Sequence, residues 1–210
     1  NCTVSGIIAD SMDGLLQRNL EAGLTLKAGC GIWYEFSTLR PRGACVSGAG
    51  AYTSGPMSFM DIFEKRCFTV SSAGGRRGAQ MATFDVHHPD VFDFVKAKRE
   101  DGRLRQFNLS LLITEDLSKA VREDAEGALS VPVTPKEYAN RALDPDMEIL
   151  WRPFPVTDSY VSEDQGRVAC RVYQRIRATK LWNAIMSSTY DYAEPGFILI
   201  DEVNKKNNNW

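Results

Sequence analysis

Two glycine-rich stretches that carry arginine are where this sequence could hold an anion: Ser37 to Pro56, with Arg40 and Arg42, and Ser71 to Gly78, with Arg76 and Arg77. Backbone N–H groups exposed in such turns, with guanidinium forks beside them, make concave sites for phosphate. The implied ligand is a nucleotide. The pattern is not a Walker loop, which needs Gly-Lys-Ser/Thr. Nor is it a dinucleotide fingerprint, because Gly48-Ala49-Gly50 does not bridge a short strand and a helix. On composition, a plain surface loop fits equally well. Asp10 stands at an expected helix start, where capping is the simpler role and accepting from a ribose hydroxyl the functional one.

The five cysteines, at 2, 30, 45, 67 and 170, form no CxxC pair and are odd in number, which suits free thiols rather than a zinc site or a disulfide framework. Cys2 lies in an apolar run and reads as a small buried hydrophobe, as do Cys67 and Cys170. His87 and His88 are adjacent, so in an extended segment their side chains diverge and no shared metal ion is expected. Asp93, Glu100 and Asp101 sit among Lys96, Lys98, Arg99 and Arg103, the mixture of a solvated helix end. There is no Ser-His-Asp pattern.

The elements that must position these residues alternate. Cys2 to Ile8 suits a buried strand, and Asp10-Ser11 supplies an N-cap for a helix whose Leu15, Leu16, Leu20, Leu24 and Leu26 lie near one stripe. Gly29 to Gly31 stops it before the extended run Ile32 to Phe36, which completes a βαβ unit. Helical spacing returns from Met57 to about Thr69, strand character over Ala79 to Val86, and a short helix from His88-Pro89-Asp90 through Lys98. Asn108 to Ile113 reads as a strand and Thr114 as the cap of the next helix. The proline-bearing stretch from Asp124 to Asp164 suits hairpin-like or irregular structure. Thr179 to Tyr192 reads as a helix, and Phe197 to Ile200 as a buried strand. The class is α/β with a largely parallel sheet.

At 210 residues, 43% hydrophobic and 25% charged, one globular domain is expected. A net charge of -2 gives no drive toward a nucleic acid polymer or a membrane surface, and no window is apolar enough to span one. A cytoplasmic location is expected. The opening Asn1 and the closing Asn207 to Trp210 suggest a piece of something longer.

Taken together and in order, several motifs resemble the large subunit of ribonucleotide reductases. They are Asn1-Cys2-Thr3-Val4, Asp10-Ser11-Met12-Asp13, Lys27-Ala28-Gly29-Cys30-Gly31, Leu39-Arg40-Pro41-Arg42-Gly43, Ser54-Gly55-Pro56 and Gly74-Gly75-Arg76-Arg77-Gly78-Ala79. Lys98-Arg99-Glu100-Asp101-Gly102, Asn108-Leu109-Ser110 and Asp201-Glu202-Val203-Asn204 look like the adenosylcobalamin-dependent (class II) members in particular. The resemblance spans essentially the whole chain. Trp33 departs from it, standing where a small residue is expected.

The resemblance implies that residues 1–210 form a single partial domain, the first half of a ten-stranded α/β barrel. In that family a thiyl radical removes the 3′-hydrogen of a ribonucleotide, the 2′-hydroxyl leaves as water, and two cysteines end as a disulfide. Cys2 takes the position of the first redox cysteine, and Asn1, Cys2, Gly29 and Gly31 fall beside the substrate. Asp10, Ser11, Met12 and Arg40 fall where a deoxynucleoside triphosphate effector binds. Ser72 to Gln80, with Gly74, Gly75, Arg76 and Arg77, matches the loop that relays effector identity to the substrate. The Asn-Pro-Cys-Gly-Glu motif of the radical cysteine is absent and expected beyond Trp210. Implied partners are a ribonucleoside di- or triphosphate, a thioredoxin-type reductant, the remaining half of the barrel and a second copy of the chain, with adenosylcobalamin as cofactor. The alternative is a catalytically inactive nucleotide-binding regulatory module.

Overall fold

Strand residues that alternate in polarity, each strand followed by a helix that is apolar on one side, can bury their apolar sides only against each other. The computed structural model describes residues 2–46, 50–70, 78–99, 102–155, 158–163 and 166–208, and shows that arrangement. The chain runs β1 (Cys2–Val4), α1 (Met12–Lys27), β2 (Gly31–Glu35), the hairpin β3 (Cys45–Val46) and β4 (Ala51–Tyr52), α2 (Pro56–Thr69), β5 (Gln80–Asp85), α3 (Val91–Lys96), β6 (Phe107–Ile113) and α4 (Glu115–Arg122). It continues through β7 (Glu126–Pro132), α5 (Pro135–Ala139), β8 (Ile149–Pro153), β9 (Ser162–Glu163), β10 (Arg167–Arg177), α6 (Ala178–Tyr192), β11 (Gly196–Leu199) and α7 (Ile200–Lys206).

Five strands form one sheet in the order β1-β2-β5-β6-β11, every neighbouring pair parallel. Ile32, Tyr34, Ala82, Phe84, Leu109 and Leu111 point to one face and meet Leu26, Met60, Phe63, Phe94 and Leu181 of the helices. Tyr34 and Phe36 pack edge-on against Phe63, with centroids 5.0 and 5.3 Å apart. The register puts Cys2 beside Gly31, Trp33 beside Met81 and Asn108, and Glu35 beside Thr83 and Ser110 on the opposite face. A parallel sheet with its helices on one side and a polar set on the other is consistent with part of the wall of an α/β barrel. Five strands in this chain form an open part of such a wall.

The proline-bearing stretch forms a second, antiparallel sheet in the order β7-β10-β8, with β9 also beside β10. It joins the parallel sheet at the end of β5. Ser130 N–H donates to the His87 carbonyl at 2.7 Å. Arg152 Nη1 reaches Asp85 Oδ2 at 2.7 Å and also bonds the Ser130 hydroxyl and carbonyl through Nε and Nη2. Burial pushes the Asp85 carboxyl up, but Arg152 and His87 together outweigh it and hold the group below its ordinary range.

Three readings change. Cys2 to Ile8 is a short exposed edge strand followed by loop, because β1 is the outermost strand and its apolar residues find no neighbour beyond it. Phe197 and Leu199 of β11, at the other edge, are half exposed for the same reason, and Ile200 already begins α7. On α1 only Leu15, Ala22 and Leu26 are buried; Met12, Leu16, Leu20 and Leu24, spaced by four, form an exposed apolar stripe. Within the first loop β3 and β4 pair as a short antiparallel hairpin.

Candidate functional site

Ser11 caps α1, its Oγ accepting from Gly14 N–H at 3.1 Å. That frees Asp10 from the capping role. Asp10 instead accepts from Arg40, through Oδ2 from Nε at 2.7 Å and through Oδ1 from the backbone N–H at 3.2 Å. Arg40 Nη2 donates to the Asp10 carbonyl and Nη1 to the Cys45 carbonyl. A guanidinium has five N–H donors, so these three side-chain bonds leave one on each terminal nitrogen, a fork suited to a phosphate. Met12 lies beside this pair, 60% exposed. Asp10, Ser11, Met12 and Arg40 are therefore brought together at the N-terminal end of a 16-residue helix.

Cys2, Gly29 and Gly31 gather at the opposite end of α1, about 24 Å away at 1.5 Å per residue. Gly29 follows the helix with φ 83°, a left-handed turn that admits glycine readily, and sends the chain into β2. The Cys2 thiol is exposed, and Gly31, buried in register beside it, has no side chain to cover it. Asn1, Gly74, Gly75, Arg76 and Arg77 lie outside the described residues. The ends of the second loop's frame are described: α2 leads into it and Gln80 leaves it. Gln80 is buried, donating to the Phe63 carbonyl and accepting from Arg66, which also bonds Asn19 O and Tyr34 Oη.

The open face of the sheet carries a connected polar set that local pattern did not reveal. Trp33 Nε1 donates to Thr83 Oγ1 at 2.9 Å, so the residue that departs from the family pattern is tied into this set. Glu35 accepts from Ser37 N–H at 2.8 Å and from Thr83 Oγ1 at 2.5 Å. Burial raises the Glu35 carboxyl to about 7 despite those donors. Behind the sheet, burial lowers His88 to about 4, so it is neutral near pH 7. Cys67 and Cys170 are buried, and burial pushes the Cys170 thiol up to about 11. Among the described residues no group of acidic, His and Cys side chains could hold a metal ion, and no helix is long and apolar enough to cross a membrane.

Two opposed pH effects follow. Neutral His88 favours the fold above its ordinary 6.5, and that stability is lost as pH falls toward 4. Protonated Glu35 favours the fold below its ordinary 4.5, and that is lost as pH rises through 7. The slopes nearly cancel between 4.5 and 6.5. Glu35→Gln should unmask the histidine, costing about 2 kcal/mol of stability between pH 7 and 5. Urea titrations of both proteins at the two pH values check this; an unchanged difference would contradict it.

A family model described as the ribonucleotide reductase barrel domain matches residues 1–210. The chain belongs to that family. Its reductase relatives include the vitamin B12-dependent ribonucleoside-diphosphate reductases of Thermoplasma acidophilum, 28% identical, and Mycobacterium tuberculosis, 32% identical. Each alignment covers 95% of this chain and 22% and 24% of those proteins. The large chain 2 of the ribonucleoside-diphosphate reductase of Saccharomyces cerevisiae is 24% identical over 99% of the chain and 23% of its own length. The reductase barrel segment described here thus spans about a quarter of the length of these relatives. The parallel sheet, with its helices on one face, is the part of the barrel it contributes.

Proposed function

We propose that this chain is the first half of the catalytic barrel of an adenosylcobalamin-dependent ribonucleotide reductase, carrying one reducing thiol at Cys2 and the effector site at Asp10, Ser11, Met12 and Arg40. The observation that carries the reading is Cys2, an exposed thiol beside Gly31 on the uncovered face of a reductase barrel wall. The substrate is a ribonucleoside di- or triphosphate whose ribose lies over Cys2, Gly29 and Gly31, with Asn1 alongside. Loss of the 2′-hydroxyl as water needs two electrons and two hydrogens. Cys2 and a second cysteine outside this chain supply them and become a disulfide, which a thioredoxin-type protein reduces.

Adenosylcobalamin, when bound, supplies the radical that starts the reaction. Neither described histidine presents a free Nε2: His88 is engaged at both ring nitrogens, and His87 Nε2 is 2.9 Å from Thr114 Oγ1. No step performed by these residues runs through the cofactor. The effector is a deoxynucleoside triphosphate, its phosphates on the free Arg40 fork and the α1 N-terminus. The residues Gly74, Gly75, Arg76 and Arg77 would relay its identity. Their loop leaves α2 at the end remote from Asp10, so a second copy of the chain, packed antiparallel along the exposed α1 stripe, would bring loop and effector together.

The full-length protein, given ribonucleotide, a dithiol and adenosylcobalamin, should form deoxyribonucleotide, and omitting the cofactor should stop it. Effector binding without product under any condition would favour the regulatory module instead. Arg40→Ala removes charge-assisted bonds of about 1.5–3 kcal/mol, so equilibrium binding of deoxynucleoside triphosphates should weaken by about 10- to 100-fold. Unchanged binding would remove Arg40 from the site.

A further inference from the structure

The loop that carries Arg40 is held from behind by a turn to which no function has been assigned. His88 Nε2 lies 2.9 Å from the Leu39 carbonyl, and Asp90 Oδ2 accepts from Arg42 N–H at 2.8 Å. These two bonds grip the backbone immediately before Arg40 and immediately after Pro41. The grip is specified at the level of the proton. Asp90 N–H donates to His88 Nδ1 at 3.0 Å, so Nδ1 is the acceptor and the single ring proton of the neutral imidazole sits on Nε2, where it can donate to Leu39. The ring is completely buried and packs edge-on against Phe84 at 4.7 Å, which in turn stacks on Phe94.

Asp90 is equally particular. It is the N-cap residue of α3, where an aspartate usually accepts from the helix's own first-turn amides, yet its side chain makes no capping bond there. Its carboxylate is turned to Arg42 instead. A third wall is Gly55, at φ 85°: a Cβ there would lie 2.8 Å from the Arg42 Cβ and 2.9 Å from its backbone nitrogen. On the near side, Thr38 Oγ1 donates to the Ile8 carbonyl, just ahead of Asp10.

We propose that His88 and Asp90 are positioning residues that hold the 39–42 backbone in place, so that the Arg40 fork faces the nucleotide phosphates before a nucleotide binds. The proposal rests on the reading of Asp10 and Arg40 as the effector site. A loop that must be ordered on binding loses affinity to conformational entropy, and a clamp already formed, through buried His88 and the more exposed Asp90, removes that cost in advance. The clamp acts on effector affinity and leaves the reacting face of the sheet, where Cys2 lies, untouched.

The test is equilibrium binding of dATP, dGTP and dTTP to the full-length protein, with turnover measured in the absence of effector. Asp90→Ala should weaken all three nucleotides by about tenfold or more, while effector-free turnover and Tm stay near wild type. Asp90→Asn keeps an oxygen that can accept from Arg42 N–H and should restore affinity to within about threefold. His88→Gln keeps a donor toward Leu39 and should fall between them. If Asp90→Ala binds as tightly as wild type, or Asp90→Ala and Asp90→Asn lose affinity, turnover and Tm together, the clamp is not a positioning device. If wild-type protein binds none of the three nucleotides, the effector reading itself fails, and the clamp's role falls with it.

Discussion

Cys2→Ser should reduce steady-state deoxyribonucleotide formation by about three orders of magnitude or more when turnover depends on the dithiol reductant. Serine keeps the size of the side chain and a hydroxyl, but its oxygen cannot enter a disulfide, so the two-electron oxidation has no product state. The side chain is exposed at the edge of the sheet and supports no core, so Tm should be unaffected. Effector binding should also be unaffected, because Asp10 and Arg40 lie a helix length away. Rapid-quench assays and nucleotide binding on the same preparation check these together. A Cys2→Ser protein with near wild-type turnover would show that Cys2 is not a reducing thiol.

The second large effect concerns stability. Arg152→Ala should destabilise the protein by about 3–5 kcal/mol, because it leaves the Asp85 carboxylate buried and unpaired. The side chains of the pair are only 13% and 14% exposed, and the same guanidinium holds both Ser130 oxygens, so it is the principal polar tie between the two sheets. Adding Asp85→Ala to Arg152→Ala should recover part of the loss, since removing both charges also removes the desolvation cost. Denaturant titration of the wild type, both single variants and the double variant gives the coupling. A single variant costing less than about 1 kcal/mol would mean that the tie is screened by water.

The α/β class was legible because period 2 and period 3.6 alternate along the chain, and local chemistry marked Thr114 as a cap, as its bond from Leu117 N–H bears out. Position in the sheet was not. An apolar run such as Thr3-Val4 reads the same whether it becomes a central strand or an edge, and Leu16, Leu20 and Leu24 read as core although they face outward. Periodicity reports that a face is apolar, not what covers it. The paired residues of the site were least legible: Asp10 with Arg40, His88 with Leu39 and Asp85 with Arg152 are separated by 30, 49 and 67 positions. Asp10 was legible as a helix start and Arg40 as a loop arginine, and only the resemblance to the family put them at one site. His88 and Asp90 were read as a helix start, and His88 also as half of a histidine pair without a metal, because the atoms they hold are main-chain atoms of another loop, and main-chain partners leave no mark in residue type.

The most direct test of the central claim is the state of the Cys2 thiol before and after one turnover. Full-length protein is reduced, freed of dithiol, given ribonucleotide and adenosylcobalamin, then alkylated and digested for mass spectrometry. Cys2 should be fully alkylated before turnover. Afterwards it should be protected in a disulfide with a cysteine from outside residues 1–210, in proportion to the deoxyribonucleotide formed. Product formed while Cys2 remains fully alkylatable would contradict the account.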